Sequence, residues 1–212
     1  SRRDRFVWST ALDFLIKNRQ KRSNQKFDNL IPLTCQSYLQ MNSHELKYRR
    51  TPVVLETFAD LETPLSIYLK LADGPFSYLL ESSQGDEKWG RYSIIGLPSE
   101  TILSVRGQNI EIRQKGEVVE SVETEDPMQF IESFQARYQI DHQDNLPRFY
   151  GGLVGYFGYD TVRYVEKKIK DTAPHDPLAT PDILLMISED IVVFDNIESK
   201  IQYIKLVDPD IE

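Results

Sequence analysis

Apolar and polar positions along the chain fall into short runs separated by turn residues, and the period changes from two to nearly four at two places. Val53-Val54-Leu55 reads as a short apolar strand. Strands are then predicted at about 76–82, 91–97, 101–106, 109–114 and 117–122. Gly107-Gln108-Asn109 turns the third of these into the fourth, and Lys115-Gly116 turns the fourth into the fifth. A second series follows at about 150–157, 182–187, 190–195 and 201–207, with a charged, proline-rich loop over 166–181. Each series is preceded by a helical segment. Thr63 can cap the first, with Pro64 at the opening position where a missing N–H costs nothing, and Asp73-Gly74-Pro75 ends it. Leu65, Tyr68 and Leu69 share one face of it at helical spacing. Asp126-Pro127 opens the second helix, expected over 127–140, with Phe130, Ile131, Phe134 and Tyr138 as its buried stripe. Helix followed by strands, twice over, predicts an α+β fold with mostly antiparallel sheets.

Composition narrows the class. The 212 residues suffice for one large domain or a piece of a bigger protein, and 40% are hydrophobic, including 11 Tyr and 10 Phe. There is no apolar run long enough for a membrane span. A single cysteine, Cys35, rules out an internal disulfide and suits a reducing compartment. The net charge of −8 is unevenly spread. Residues 1–50 carry 11 Lys and Arg against 4 Asp and Glu, whereas residues 51–212 carry 14 against 29. An acidic body argues against nucleic-acid binding, which needs a basic surface to neutralise phosphates. The basic lead has no groove-binding motif and reads as a solvated leader. Its Arg2-Arg3 and Phe6-Val7-Trp8 resemble an export signal only in part, since Asp13 breaks the apolar run and Lys17, Arg19, Lys21 and Arg22 follow. Residues 9–17 can form a short amphipathic helix through Leu12, Leu15 and Ile16.

Candidate chemistry is sparse. His44, His142 and His175 lie far apart, without the spacing of metal ligands. No serine sits in a nucleophile elbow. Gly151-Gly152, Gly155 and Gly158 superficially suggest a phosphate loop, but the Lys-Ser/Thr ending is missing. Glycines in a strand better suit close approach of another backbone, with Tyr150, Tyr156, Phe157 and Tyr159 filling the space around them. One candidate site remains, the end of the 76–82 strand. There Glu81 or backbone carbonyls can accept from an ammonium group, the Ser82 hydroxyl can donate or accept, Lys88 or Arg91 can face a carboxylate, and Pro64 and Leu80 can wall an apolar slot.

The stretch TPLSIYLKLADGPFSYLLESSQGDEKWGRYSIIG at 63–96 resembles the amino-terminal part of component I of anthranilate synthase, within the chorismate-utilising enzymes. So do DPMQFIESF at 126–134, GGLVGYFGYDTVRYVE at 151–166 and PDILLMISEDIVVFDN at 181–196. The likeness runs from about Thr51 to Glu212, and residues 1–40 fall outside it. Met41 stands just ahead of it, so 1–40 are expected to be a leader, either sequence upstream of a natural start or a divergent extension, and 41–212 the family region. The resemblance implies a partial chorismate-utilising fold, with two roughly orthogonal, mostly antiparallel sheets flanked by helices. It also implies a cytoplasmic enzyme of tryptophan biosynthesis, a lyase that makes anthranilate and pyruvate from chorismate and ammonia. In it, magnesium holds the substrate carboxylate and ammonia comes from a glutamine amidotransferase, component II. The family's chorismate chemistry lies in a later half, so no catalytic residue and no cofactor is expected within this chain. Its expected role is allosteric feedback inhibition by tryptophan, with Pro64, Leu79, Leu80, Glu81 and Ser82 lining the inhibitor site and Lys88, Arg91 and Tyr92 as neighbours after the turn. Three other readings stay open: the matching part of aminodeoxychorismate synthase component I, a free-standing amino-acid sensor, and a scaffold that only docks the amidotransferase.

Because residues 1–40 oppose the body in charge and lie outside the resemblance, removing them is expected to leave thermal unfolding unchanged. A loss of several degrees, or about 1–2 kcal/mol, would show that they are packed against the body.

Overall fold

The computed structural model describes residues 48–81, 90–169 and 178–210. The leader, the amphipathic segment 9–17, Met41 and most of the turn after Glu81 therefore lie outside the described residues. What is described is a mixed α+β body with two sheets. The larger has six strands in the order β2 (Tyr78–Leu80), β3 (Tyr92–Gly96), β10 (Asp190–Asp195), β11 (Lys200–Val207), β1 (Tyr48–Phe58), β7 (Tyr138–Ile140). The smaller has five in the order β6 (Glu117–Glu123), β5 (Asn109–Gln114), β4 (Thr101–Arg106), β9 (Ile183–Ser188), β8 (Gly152–Phe157). Every pairing is antiparallel except β1 with β7.

Three apolar layers hold these sheets. Helix α2 (Pro127–Ala136) lays Met128, Ile131 and Phe134 on one face of the small sheet, against Leu103, Val105, Ile110, Ile112, Ile183 and Leu185. Helix α1 (Pro64–Leu71) covers one face of the large sheet, with Ile67 and Ala72 packed near Ile95, Val192 and Phe194. The other face buries Ile191, Val193 and Ile204 beneath Leu146, Phe149 and Tyr150. Strand alternation explains why consecutive residues of β10 serve opposite layers.

Local chemistry agrees with the expected caps. The Thr63 hydroxyl accepts from the Ser66 backbone N–H at 3.1 Å while the Ser66 hydroxyl accepts from the Thr63 N–H at 2.9 Å, a reciprocal capping box. Asp126 accepts from the Gln129 N–H at 3.0 Å, with Pro127 next in line. Gly151 has φ of 140°, and a side chain on it would meet Leu206 at 2.5 Å and the Ser188 carbonyl at 2.9 Å, so close approach is the reason for glycine there.

Four expectations need correction. The strand expected at 53–55 runs from Tyr48 to Phe58 because all eight residues from Thr51 to Phe58 find partners on β11. The buried stripe of α1 is Pro64, Ile67, half-buried Tyr68 and Ala72, while Leu65 and Leu69 are exposed. Two apolar stripes compete on so short a helix, and the sheet takes the one that carries the proline. The strand expected at 76–82 is regular only over Tyr78–Leu80, since Phe76 takes a positive φ of 60°. The helix expected to reach residue 140 stops at Ala136. Tyr138–Ile140 instead pair in parallel with Tyr48–Arg50, and the Tyr138 ring lies 5.1 Å from Tyr48 and 5.7 Å from Phe134.

Phe134 is 3% exposed, whereas Gln129 faces solvent one turn earlier. Phe134→Ala is expected to destabilise the fold by about 3–5 kcal/mol in urea unfolding, and Gln129→Ala to change it very little. Equal small effects would place α2 on the surface.

Candidate functional site

The candidate site sits where α1, β2 and β3 meet. Pro64 is buried at the start of α1. On β2, Leu79 pairs with Ile95 and packs into the layer beneath α1, while Leu80 pairs with Ile94 and is 51% exposed. By strand alternation Leu80 faces the opposite side of the sheet from Leu79. Glu81 follows directly and is exposed. Ser82 and Lys88 lie outside the described residues.

β2 has only three residues, and the Tyr78 ring adds to the anchoring that Leu79 gives it. The Tyr78 side chain lies across Gly96, where a Cβ would collide with the ring at 1.9 Å. Its hydroxyl shares a 2.7 Å hydrogen bond with Ser188, which is 2% exposed at the end of β9. Burial pushes the Tyr78 phenol up to about 12, so the group stays protonated and able to donate at any ordinary pH.

Beyond the turn, Arg91 and Tyr92 border a cavity of about 190 Å³ on the Leu80 side of the sheet, walled on its apolar side by Leu146 and Pro147. The Arg91 fork donates to Asp195 at 2.6 and 2.8 Å and to Glu198 at 2.7 Å, and the guanidinium lies 5.0 Å from the Tyr92 ring centre. Lys200 pairs with Glu56 at 3.2 Å and Glu198 at 3.3 Å. Burial alone would raise the Asp195 carboxyl. Arg91 and the backbone N–H groups of Glu198 and Ile197 outweigh it and hold the group below its ordinary value. Glu56 is likewise held low, by hydrogen bonds from Gln202 and then Lys200. Both cations lining the cavity are thus already paired, so an incoming carboxylate has to displace an internal one to reach either. Arg91, considered as a carboxylate donor, is first of all the partner of Asp195.

Sequence reasoning did not find Glu56, Asp195, Glu198 or Lys200. They come from β1, β10, β11 and the hairpin between the last two, and nothing local marks them. The one available signal was a run of charged residues, Asp195, Glu198 and Lys200, around a predicted turn.

No protein-family model matches the chain. Individual proteins do. Over 162 residues, 76% of this chain and 33% of the relative, it is 60% identical to anthranilate synthase component 1 of Pseudomonas putida. Over 165 residues, with the same two coverages, it is 50% identical to the component 1 of Neisseria gonorrhoeae. This chain is a relative of the amino-terminal region of anthranilate synthase component 1. It spans about a third of the length of the curated relatives it matches. A crystal structure of anthranilate synthase component I from Streptococcus pneumoniae TIGR4 aligns with 70% of this chain and 31% of its own, at 27% identity and a TM-score of 0.42. Among the described residues no group of three or more His, Cys, Asp and Glu side chains is disposed to hold a metal ion. No described helix is long and apolar enough to cross a membrane.

The low carboxyl of Asp195 gives a signed pH dependence. A depressed group adds stability above its unfolded value, about 3.9, and that contribution is lost as pH falls through the folded value. Asp195→Asn is therefore expected to cost about 1.5–3 kcal/mol near neutrality, with the gap from the parent protein closing below about pH 4. Urea unfolding across pH measures this, and a pH-independent gap would remove Arg91–Asp195 as its cause.

Proposed function

We propose that this chain is the regulatory amino-terminal part of an anthranilate synthase component 1 and binds tryptophan at the α1–β2–β3 corner. The observation that carries the reading is the 60% identity with a protein of that name over 162 residues, a span containing about three quarters of this chain. The corner supports it with what an amino acid requires: an exposed carboxylate, Glu81, for the ammonium group and an apolar surface from Leu80. The Ser82 hydroxyl and the Lys88 ammonium complete the expected set of contacts.

In this reading the longer protein converts chorismate and ammonia into anthranilate and pyruvate, with magnesium on the substrate carboxylate and ammonia delivered by a glutamine amidotransferase, the component 2 that the name component 1 presupposes. The present chain supplies the inhibitor contacts. Bound tryptophan favours the arrangement with weaker chorismate affinity, and it does so only to the extent that it binds the two arrangements differently. Such coupling typically amounts to about 1–3 kcal/mol.

Titration of the chain with L-tryptophan, followed residue by residue by NMR, tests the site. The amides of Leu79–Glu81 and Tyr92–Ile94 are expected to shift, and Glu81→Ala to weaken the response by about one to two decades. Shifts confined to the small sheet, or none up to the solubility of tryptophan, would overturn the placement. With chorismate, ammonia and magnesium supplied, the chain alone is expected to produce no anthranilate fluorescence.

A further inference from the structure

β2 has the candidate corner at one end and the joint between the two sheets at the other. At the corner end Leu80 is 51% exposed, and exposed Glu81 follows it. At the other end the Phe76 carbonyl accepts from the Ser99 N–H at 3.1 Å, and the Ser99 hydroxyl donates to the Ile187 carbonyl at 2.6 Å. Tyr78 makes a second tie, with its hydroxyl 2.7 Å from that of Ser188. Ile187 and Ser188 are the last two residues of β9 in the small sheet, and Glu189 alone then carries the chain to β10 in the large one. The two ends are near each other, since Tyr78 to Leu80 spans about 7 Å of strand. Tyr78 and Leu80 also share one face of β2, because Leu79 between them packs into the layer beneath α1. A ligand resting on Leu80 therefore stands beside the residue that reaches the joint.

We propose that the Tyr78–Ser188 hydrogen bond couples the corner to this joint, so that an amino acid seated on Leu80 and Glu81 strengthens the bond and steadies the two sheets against each other. The proposal rests on the tryptophan reading of the corner and names how that site acts on the rest of the body. The bond suits the role. Both partners are neutral hydroxyls, and either can donate. A neutral bond of this kind shifts an equilibrium by about two- to tenfold, a bias that a ligand with differential affinity can match. Ser188 is 2% exposed, so water has little access to take the place of Tyr78. The next residue passes the effect on, since the Glu189 carbonyl accepts from the Leu206 N–H at 2.7 Å. The coupling is reciprocal: a bond that occupancy of the corner strengthens must itself raise the affinity of the corner.

Amide NMR of the full 212-residue chain tests this with two variants. Tyr78→Phe keeps the ring over Gly96 and removes only the hydroxyl, and Ser188→Ala breaks the same bond from the other side. Without ligand, Ser188→Ala is expected to move the amides of Leu80 and Glu81, and to leave them alone when Tyr78→Phe is already present. With L-tryptophan added to the parent, the amides of Glu189 and Leu206 are expected to shift with the same midpoint as those of the corner. In either variant the corner amides still respond, at about two- to tenfold higher tryptophan, and the Glu189 and Leu206 amides do not. Corner shifts without joint shifts, joint shifts that survive Tyr78→Phe, or Leu80 and Glu81 amides indifferent to Ser188→Ala would each overturn the coupling and leave the tryptophan reading standing. A corner that ignores tryptophan would overturn that reading instead, and the ligand-free comparison still decides whether the bond links the two places.

Discussion

One residue, Glu189, separates β9 from β10, and these two strands belong to different sheets. Everything else is arranged around that crossing. The Glu189 carbonyl accepts from the Leu206 N–H at 2.7 Å, and its carboxylate takes a 2.7 Å hydrogen bond from Arg50, which is buried to 15% exposure. On one side, the Asp190 carbonyl accepts from the Leu97 N–H. On the other, the Ile187 carbonyl accepts from the Ser99 hydroxyl at 2.6 Å. With no slack in the connection, the two sheets cannot slide past each other without breaking several of these bonds. The close approach at Gly151 and the Tyr78–Ser188 bond lie at the same joint, so β2, β8 and β11 converge on it.

Most of the body was legible because its rules are local. Turn residues such as Gly107 and Lys115-Gly116 bound the strands of the small sheet, and Thr63-Pro64 and Asp126-Pro127 mark the helix starts. What escaped depends on partners distant in sequence. Tyr138–Ile140 is as good a helix end as a strand until Tyr48–Arg50, ninety residues earlier, is placed beside it. Leu65 and Leu69 look as apolar as Ile67, and only the position of the sheet decides which stripe is buried. At the candidate site the motif residues were visible as a local string. The ion-pair network of Glu56, Arg91, Asp195, Glu198 and Lys200 has no local string and emerges only once four strands lie side by side.

That network also changes how the corner is understood. A cation read from sequence looks available to a ligand, but Arg91 is bound by two carboxylates at less than 2.9 Å. Its first job is to hold the β10–β11 hairpin against the start of β3. Pairs of this kind contribute modestly when exposed and strongly when shielded. Asp195, at 11% side-chain exposure, is the shielded member and Glu198, at 48%, is not.

The slenderness of β2 has a consequence for motion. A strand of three residues cannot resist opening through its ladder alone, and the Tyr78 ring over Gly96 supplies much of what keeps it closed. If that ring leaves its place, β2 can part from the sheet while the small sheet and α2 stay folded, a sub-global opening in the sense used for cooperative units within native proteins. The same excursion frees the Ser188 hydroxyl at the joint. The exposed Leu80 and Glu81 are therefore mounted on one of the least secured strands of the body, and that strand is tied by one hydroxyl to the place where the two sheets meet.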